Sequence, residues 1–180
     1  VSAFLLNRSS DLIGMIFQTF NLVNRSTVLK NVLTGRLSNI STIRSILGLW
    51  PKDQKEMAFE ALNQVEILEK AYVRASNLSG GQQQRVGIAR ALSQKPKVML
   101  ADEPVASLDP ITSRVVMSYL KKINTELGIT TIVNLHFLDL AKEFGDRLIG
   151  LRDGKLVFDG NVNDVSDEDF ENIYGRSIKS

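Results

Sequence analysis

The stretch that most constrains the fold reads LSGGQQQR, a helical segment, VMLADEP and then ASLDP, all within residues 78–110. Its first part predicts a helix start, because Ser79 is a good N-cap and Gln82, three residues later, completes a capping box. The two glycines leave the backbone N–H groups of that helix end uncovered, where the helix dipole favours an anion such as phosphate. The pattern therefore predicts a capped helix with an anion site formed by Ser79, Gly80, Gly81 and Gln82.

An acidic pair follows the apolar run VMLA, which predicts a short buried strand. Asp102 and Glu103 stand at the carboxyl end of that strand, where an open α/β sheet carries its ligand chemistry. Asp109-Pro110 then starts a long helix that Gly128 ends, and the β-branched run after it predicts a second buried parallel strand. Strand, helix and strand in this order predict an α/β fold.

In this order and spacing, the three motifs resemble the signature motif, Walker B motif and D-loop of the ATP-binding cassette (ABC) ATPases. The resemblance implies a P-loop NTPase-type, mostly parallel sheet flanked by helices, with an inserted α-helical subdomain. It places the end of the core and the Q-loop in residues 1–20 and the helical subdomain with the signature motif in 21–85. The core with Walker B, D-loop and switch histidine then covers 86–160, and a C-terminal tail covers 161–180.

The same resemblance implies which residues act on ATP. The catalytic residues are expected to be Glu103, His136 and Gln18. Glu103 would orient and polarise the attacking water, His136 would contact the γ-phosphate, and Gln18 of the Q-loop would complete the shell around the water and the metal. Asp102 and Gln18 are the expected ligands of Mg²⁺.

The family's arrangement of two copies around two ATP molecules implies the remaining contacts and the partners. The residues expected to contact the nucleotide are Ser79, Gly80, Gly81, Gln82 and Asp109, the first four facing the ATP held by the other copy. The expected partners are a second copy of the chain, transmembrane permease subunits docked on the helical subdomain and, indirectly, a solute-binding protein. Such a subunit works at the cytoplasmic face of the membrane and binds no nucleic acid.

Composition agrees with these expectations. The apolar content of 43% and charged content of 23% are ordinary for a soluble globular protein. No run approaches the roughly 18 apolar residues of a membrane span, and a net charge of +2 does not predict nucleic-acid binding. The absence of cysteine excludes disulfides and thiolate metal sites.

One motif of the family does not occur in the sequence. No G-x-x-x-x-G-K-[ST] pattern is present in the 180 residues, although this phosphate cradle and its lysine supply most of the binding energy in the enzyme class. In the family the motif precedes the Q-loop. The chain is therefore expected to be a fragment that binds ATP weakly and hydrolyses it negligibly by itself; a degenerate family member is the alternative.

Several stretches, among them NLVNRSTVLKNVLTGRL and LIGLRDGKLVFDG, resemble the ATPase subunits of bacterial phosphonate importers. Four alternatives stay open. They are an importer ATPase for a different solute, a soluble ABC ATPase of translation or DNA repair, a non-catalytic interaction module derived from the family, and a metal-dependent hydrolase. The last would use Asp102, Glu103 and His136, which lack a recognisable ligand spacing.

Overall fold

The computed structural model describes residues 12–175. The chain divides into two compact units, Val1–Asn134 and Leu135–Ser180. Within residues 12–175, none of the helices combines the length and the apolar character needed to cross a bilayer.

The first unit is built on a three-stranded parallel sheet in the order β1-β2-β3. These strands are Ile13–Ile16, Val98–Asp102 and Thr130–Asn134. Ile16 pairs with Ala101, which in turn pairs with Val133, so the carboxyl ends of all three strands lie at one edge. The predicted α/β fold with a parallel sheet is confirmed.

The burial of the strands differs from the prediction. In the central strand β2, Met99 and Ala101 are buried, as predicted for a strand with a neighbour on each side. The prediction of a second buried strand is wrong for β3, where Ile132 is 56% exposed and no residue is fully buried. β1 and β3 flank β2, so each has one partner strand among the described residues.

Within residues 12–134, five α-helices pack in the first unit. They are α1 (Val28–Leu33), α2 (Thr42–Ile46), α3 (Lys52–Gln64), α4 (Gly80–Ser93) and α5 (Pro110–Leu127). The α1 start follows the predicted rule, because the Thr27 hydroxyl accepts a hydrogen bond from the N–H of Lys30 at 3.3 Å. α4 and α5 also begin where their caps predict, at Ser79 and Asp109.

Two helices differ from the sequence-based prediction, the first of them in where it ends. In the sequence, Met57, Ala61, Leu62, Val65 and Leu68 lie at helical spacing and predict a helix that continues to Leu68, but α3 ends at Gln64. Glu66 has a left-handed φ of 53°, which the regular helix cannot contain, and Leu68 lies exposed on a 3₁₀ turn.

Apolar residues at helical spacing between Ile111 and Leu127 predict a buried stripe along α5, and this prediction is only partly correct. Tyr119, Leu120 and Ile123 are buried, whereas Ile111 is 78% exposed. The predicted stripe also included Val115 and Leu127, both of which are exposed. The buried face instead begins at Ser113 and continues with Val116, Met117 and Leu120, at the i+3, i+4 and i+7 positions. The first buried residue of the helix is therefore small and polar, not large and apolar.

The described part of the second unit, residues 135–175, contains an antiparallel hairpin and two α-helices. The hairpin is formed by β4 (Arg147–Arg152) and β5 (Lys155–Asn161), and the helices are α6 (Leu138–Phe144) and α7 (Asp167–Tyr174). Asp153 and Gly154 form the predicted two-residue turn, with φ values of 50° and 73°. Phe170 is buried in this unit, and the Lys142 ammonium lies 4.5 Å from the centroid of its ring.

Candidate functional site

Gln18 and Glu103 meet at the carboxyl edge of the parallel sheet. Gln18 follows β1 and Glu103 follows β2, and the register of the two strands brings them side by side although 85 residues separate them in sequence. The Gln18 Nε2 donates a hydrogen bond to the Oε2 of Glu103 at 3.0 Å. The structure thus joins two of the predicted catalytic residues in one contact.

Asp102 is the last residue of β2 and is paired in register with Asn134, the last residue of β3. The Asn134 Nδ2 donates to the Oδ1 of Asp102 at 3.0 Å, and its carbonyl oxygen accepts from the N–H of Glu103 at 3.2 Å. Asn134 was not predicted as a site residue. The sequence feature that could have identified it is an amide side chain at the end of a β-branched strand, next to a strand that ends in acidic residues.

Glu103 has a left-handed backbone, with a φ of 45°. For a residue with a Cβ this conformation costs on the order of 1–2 kcal/mol. The bond from its N–H to Asn134 holds it there, and the turn directs the chain away from the sheet immediately after the strand.

The donor chemistry of Asp102 and Gln18 fits Mg²⁺. Carboxylate and amide oxygens are hard ligands, and Mg²⁺ is commonly held by one or two protein oxygens together with waters and substrate phosphates. Gln18 uses its Nε2 on Glu103, so its Oε1 is the atom that would coordinate. Among residues 12–175, no three histidine, aspartate or glutamate side chains are placed to hold a metal ion by themselves.

The predicted capping box at the start of α4 is confirmed in both halves. The Ser79 Oγ accepts from the N–H of Gln82 at 3.4 Å, and the Gln82 Oε1 accepts from the N–H of Ser79 at 3.0 Å. A Cβ added at Gly80 would lie 3.3 Å from Leu108 Cδ2 and 3.6 Å from Phe20 Cζ. The helix start is therefore next to the loop of Gln18 and to the ASLDP segment.

Gly81 has a packing role that the sequence alone did not indicate. It is buried, and a Cβ at this position would clash with the Cγ2 methyl group of Thr112 on α5. The glycine thus allows α4 and α5 to approach closely, in addition to leaving the backbone N–H groups uncovered.

Asp109 caps α5. One carboxylate oxygen accepts from the N–H groups of Ile111 and Thr112 at 3.1 and 2.9 Å, and the other accepts from the Thr112 hydroxyl at 2.5 Å. The hydroxyl of Thr112 is the main cause that holds the pKa of Asp109 below its usual value, so the side chain is an anion at neutral pH. Its contact with nucleotide or with a second copy stays a prediction.

His136, the third predicted catalytic residue, belongs to the second unit. It is exposed, and its backbone carbonyl accepts a hydrogen bond from the Tyr174 hydroxyl at 3.3 Å. The other predicted site residues all lie in the first unit.

The parallel sheet, its acidic strand end and the capped glycine-rich helix start define an α/β domain of the nucleotide-binding class. The sequence model of the ABC transporter family matches residues 6–106 of the chain. The chain belongs to this family, as the order of its motifs predicted.

Curated relatives place it near one branch of the family. The chain is 61% identical over 167 residues to phosphonates import ATP-binding protein PhnC 3 of Halalkalibacterium halodurans, covering 93% of the chain and 65% of the relative. It is 64% identical over 166 residues to PhnC of Shouchella clausii, covering 92% and 62%. The chain therefore spans 62–65% of the length of these relatives.

Solved ABC cassettes share the fold. A dimeric cassette in a post-hydrolysis state, bound to ADP and Pi, is 36% identical with a TM-score of 0.71, and the match covers 90% of this chain and 68% of that one. A nucleotide-free cassette from an ABC transporter is 26% identical with a TM-score of 0.75, covering 96% and 69%.

Proposed function

We propose that this chain is part of the ATP-binding and ATP-hydrolysing subunit of an ABC importer, and that the imported solute is a phosphonate. The contact between Gln18 and Glu103, beside Asp102 at one edge of the sheet, is the observation that carries the catalytic part. The names of the relatives support the solute.

The chemistry follows from the atoms at that edge. Glu103 orients the attacking water and accepts its proton, while the amide of Gln18 holds the carboxylate in place. Asp102 and the Gln18 Oε1 would hold Mg²⁺, which would neutralise charge on the phosphates when bound. His136 contacts the γ-phosphate. Since the 180 residues contain no G-x-x-x-x-G-K-[ST] pattern, the isolated chain hydrolyses ATP negligibly.

The proposed partners are a second copy of the subunit and the transmembrane permease, at the cytoplasmic face of the membrane, with a solute-binding protein acting through the permease. The dimeric structural neighbour supports the second copy. The ATP held by that copy would contact the start of α4, from Ser79 to Gln82. Asp109 would lie at the junction of the two copies. Exposed apolar side chains on α2, Ile43 and Ile46, support docking of a permease on the helical part of the first unit.

A gene-replacement experiment tests the proposal. We expect deletion of the chromosomal gene to abolish phosphonate accumulation, and the wild-type gene to restore it. The Glu103→Gln variant should reduce uptake by about 10²–10⁴-fold, because it removes a positioned base. The matched control, Glu126→Gln, changes an exposed glutamate on α5 and should restore uptake fully.

The outcomes separate the candidates. Phosphonate uptake that persists in the deletion strain would contradict the assignment of the solute. Full restoration by Glu103→Gln would contradict hydrolysis at this site and favour the non-catalytic interaction module.

A further inference from the structure

The loop that carries Gln18 is held by an arginine of α4. Arg90 donates from Nη1 to the carbonyl oxygen of Asn21 at 2.5 Å and from Nη2 to that of Phe20 at 3.0 Å. The two carbonyls follow Gln18 closely in sequence, so the planar guanidinium fixes the backbone next to the residue that contacts Glu103. Arg90 is partly buried, and this burial lowers its pKa from the usual value.

The backbone of the loop turns sharply at the residues that Arg90 binds. Asn21 has a left-handed φ of 50°, a conformation that asparagine adopts more readily than most residues with a Cβ. The far end of the loop is fixed separately, since the buried Asn31 of α1 accepts from the N–H of Val23 at 2.7 Å and donates to its carbonyl at 3.2 Å. Arg90 thus supports the part of the loop nearest to Gln18.

Arg85, on the same helix, binds the backbone of a different turn in a similar way. Its Nη1 donates to the carbonyls of Val65 at 3.3 Å and Glu66 at 2.9 Å, and Glu66 also has a left-handed φ, of 53°. Each arginine therefore fastens a turn that contains a left-handed residue. Arg85 fastens the turn after α3, whereas Arg90 fastens the turn after Gln18.

We propose that Arg90 is a positioning residue that sets the Gln18 amide against the Glu103 carboxylate, and thereby ties the loop of Gln18 to the helix that begins at Ser79. Its effect on hydrolysis rests on the proposed function. Its effect on the contact between Gln18 and Glu103 does not.

The test compares Arg90→Lys with the matched control Arg85→Lys in the full 180-residue chain. Lysine keeps the positive charge but cannot reproduce the planar fork of donors. We expect the backbone NMR order parameters of residues 20 and 21 to fall from about 0.85 to below about 0.6 in Arg90→Lys, since the guanidinium no longer holds their carbonyl groups. Arg85→Lys should lower the order parameters of residues 65 and 66 and leave those of residues 20 and 21 as in the wild type.

A second readout reports the contact itself. In the wild type and in Arg85→Lys, the NMR signal of the Gln18 side-chain amide should shift when Glu103→Ala removes its hydrogen-bond acceptor. This shift should be lost in Arg90→Lys. A structural loss of stability alone would not produce that difference between the two lysine variants.

Wild-type order parameters at residues 20 and 21, together with a Gln18 signal that still shifts on Glu103→Ala in the Arg90→Lys background, would overturn the proposal. If that variant does not fold, the guanidinium protons of Arg90 in the unaltered chain decide: slow exchange supports the proposal, and fast exchange contradicts it. None of these readouts uses ATP, so a failed uptake experiment would contradict the proposed function and leave this inference standing.

Discussion

Three consecutive glutamines on α4 show how much a single residue's role depends on its direction on the helix. Gln82 completes the cap with Ser79, and the Gln83 Nε2 donates to the carbonyl of Leu78 at 3.1 Å. Gln84 is fully buried, and neither polar atom of its side chain has a hydrogen-bond partner within residues 12–175. Sequence predicted the cap because it depends on residues three apart; the position of Gln84 depends on the packing around the helix.

Replacement of Gln84 by methionine should stabilise the protein. The apolar side chain of similar length removes an unsatisfied buried amide, which costs about 1–3 kcal/mol. We expect Gln84→Met to raise the free energy of unfolding by about 1 kcal/mol in urea titrations. Gln83→Met, which loses the bond to Leu78, should lower it. A lower stability for Gln84→Met would show that its amide is satisfied in solution.

At the scale of elements, the ends of helices and turns were predicted better than their buried faces. The caps at Thr27, Ser79 and Asp109 depend on local hydrogen bonds, and all three are present. The exposure of Ile111 and Ile132 depends on which elements cover them, and no local pattern contains that information.

The candidate site divides in the same way. The contact between Gln18 and Glu103 could be anticipated because parallel strands end at one edge of a sheet. Asn134 could have been anticipated on the same ground, since it ends the neighbouring strand at that edge. The role of Arg90 could not, because it depends on how α4 packs against the loop after β1.

The close approach of α4 and α5 at Gly81 can be tested by adding a Cβ there and then removing the methyl group that it would meet. Gly81→Ala should lower the free energy of unfolding by about 1–3 kcal/mol, because the added Cβ clashes with the Thr112 methyl group. In a Thr112→Ser background the methyl group is absent while a hydroxyl for Asp109 remains, so Gly81→Ala should cost much less. Equal costs in both backgrounds, measured by urea unfolding, would show that the clash is not the cause.

At the scale of the whole molecule, both units expose large apolar side chains on their β-structure. In the first unit Ile132 of β3 is exposed. In the second unit Leu151 of β4 and Leu156 of β5 form a cross-strand pair and are 64% and 60% exposed. Exposed apolar surface of this kind favours association with other surfaces, including those of other copies of the chain.

Polar substitution of that pair should reduce self-association of the isolated chain. We expect the double variant Leu151→Thr and Leu156→Thr to elute closer to the monomer volume and to scatter less light as concentration rises. Threonine has a high strand propensity, so the hairpin and the melting temperature should be little changed. Phe170→Thr is the opposite control: it replaces a buried aromatic ring of the same unit and should lower the melting temperature. Association that is unchanged in the double variant would mean that other surfaces of the chain bring the copies together.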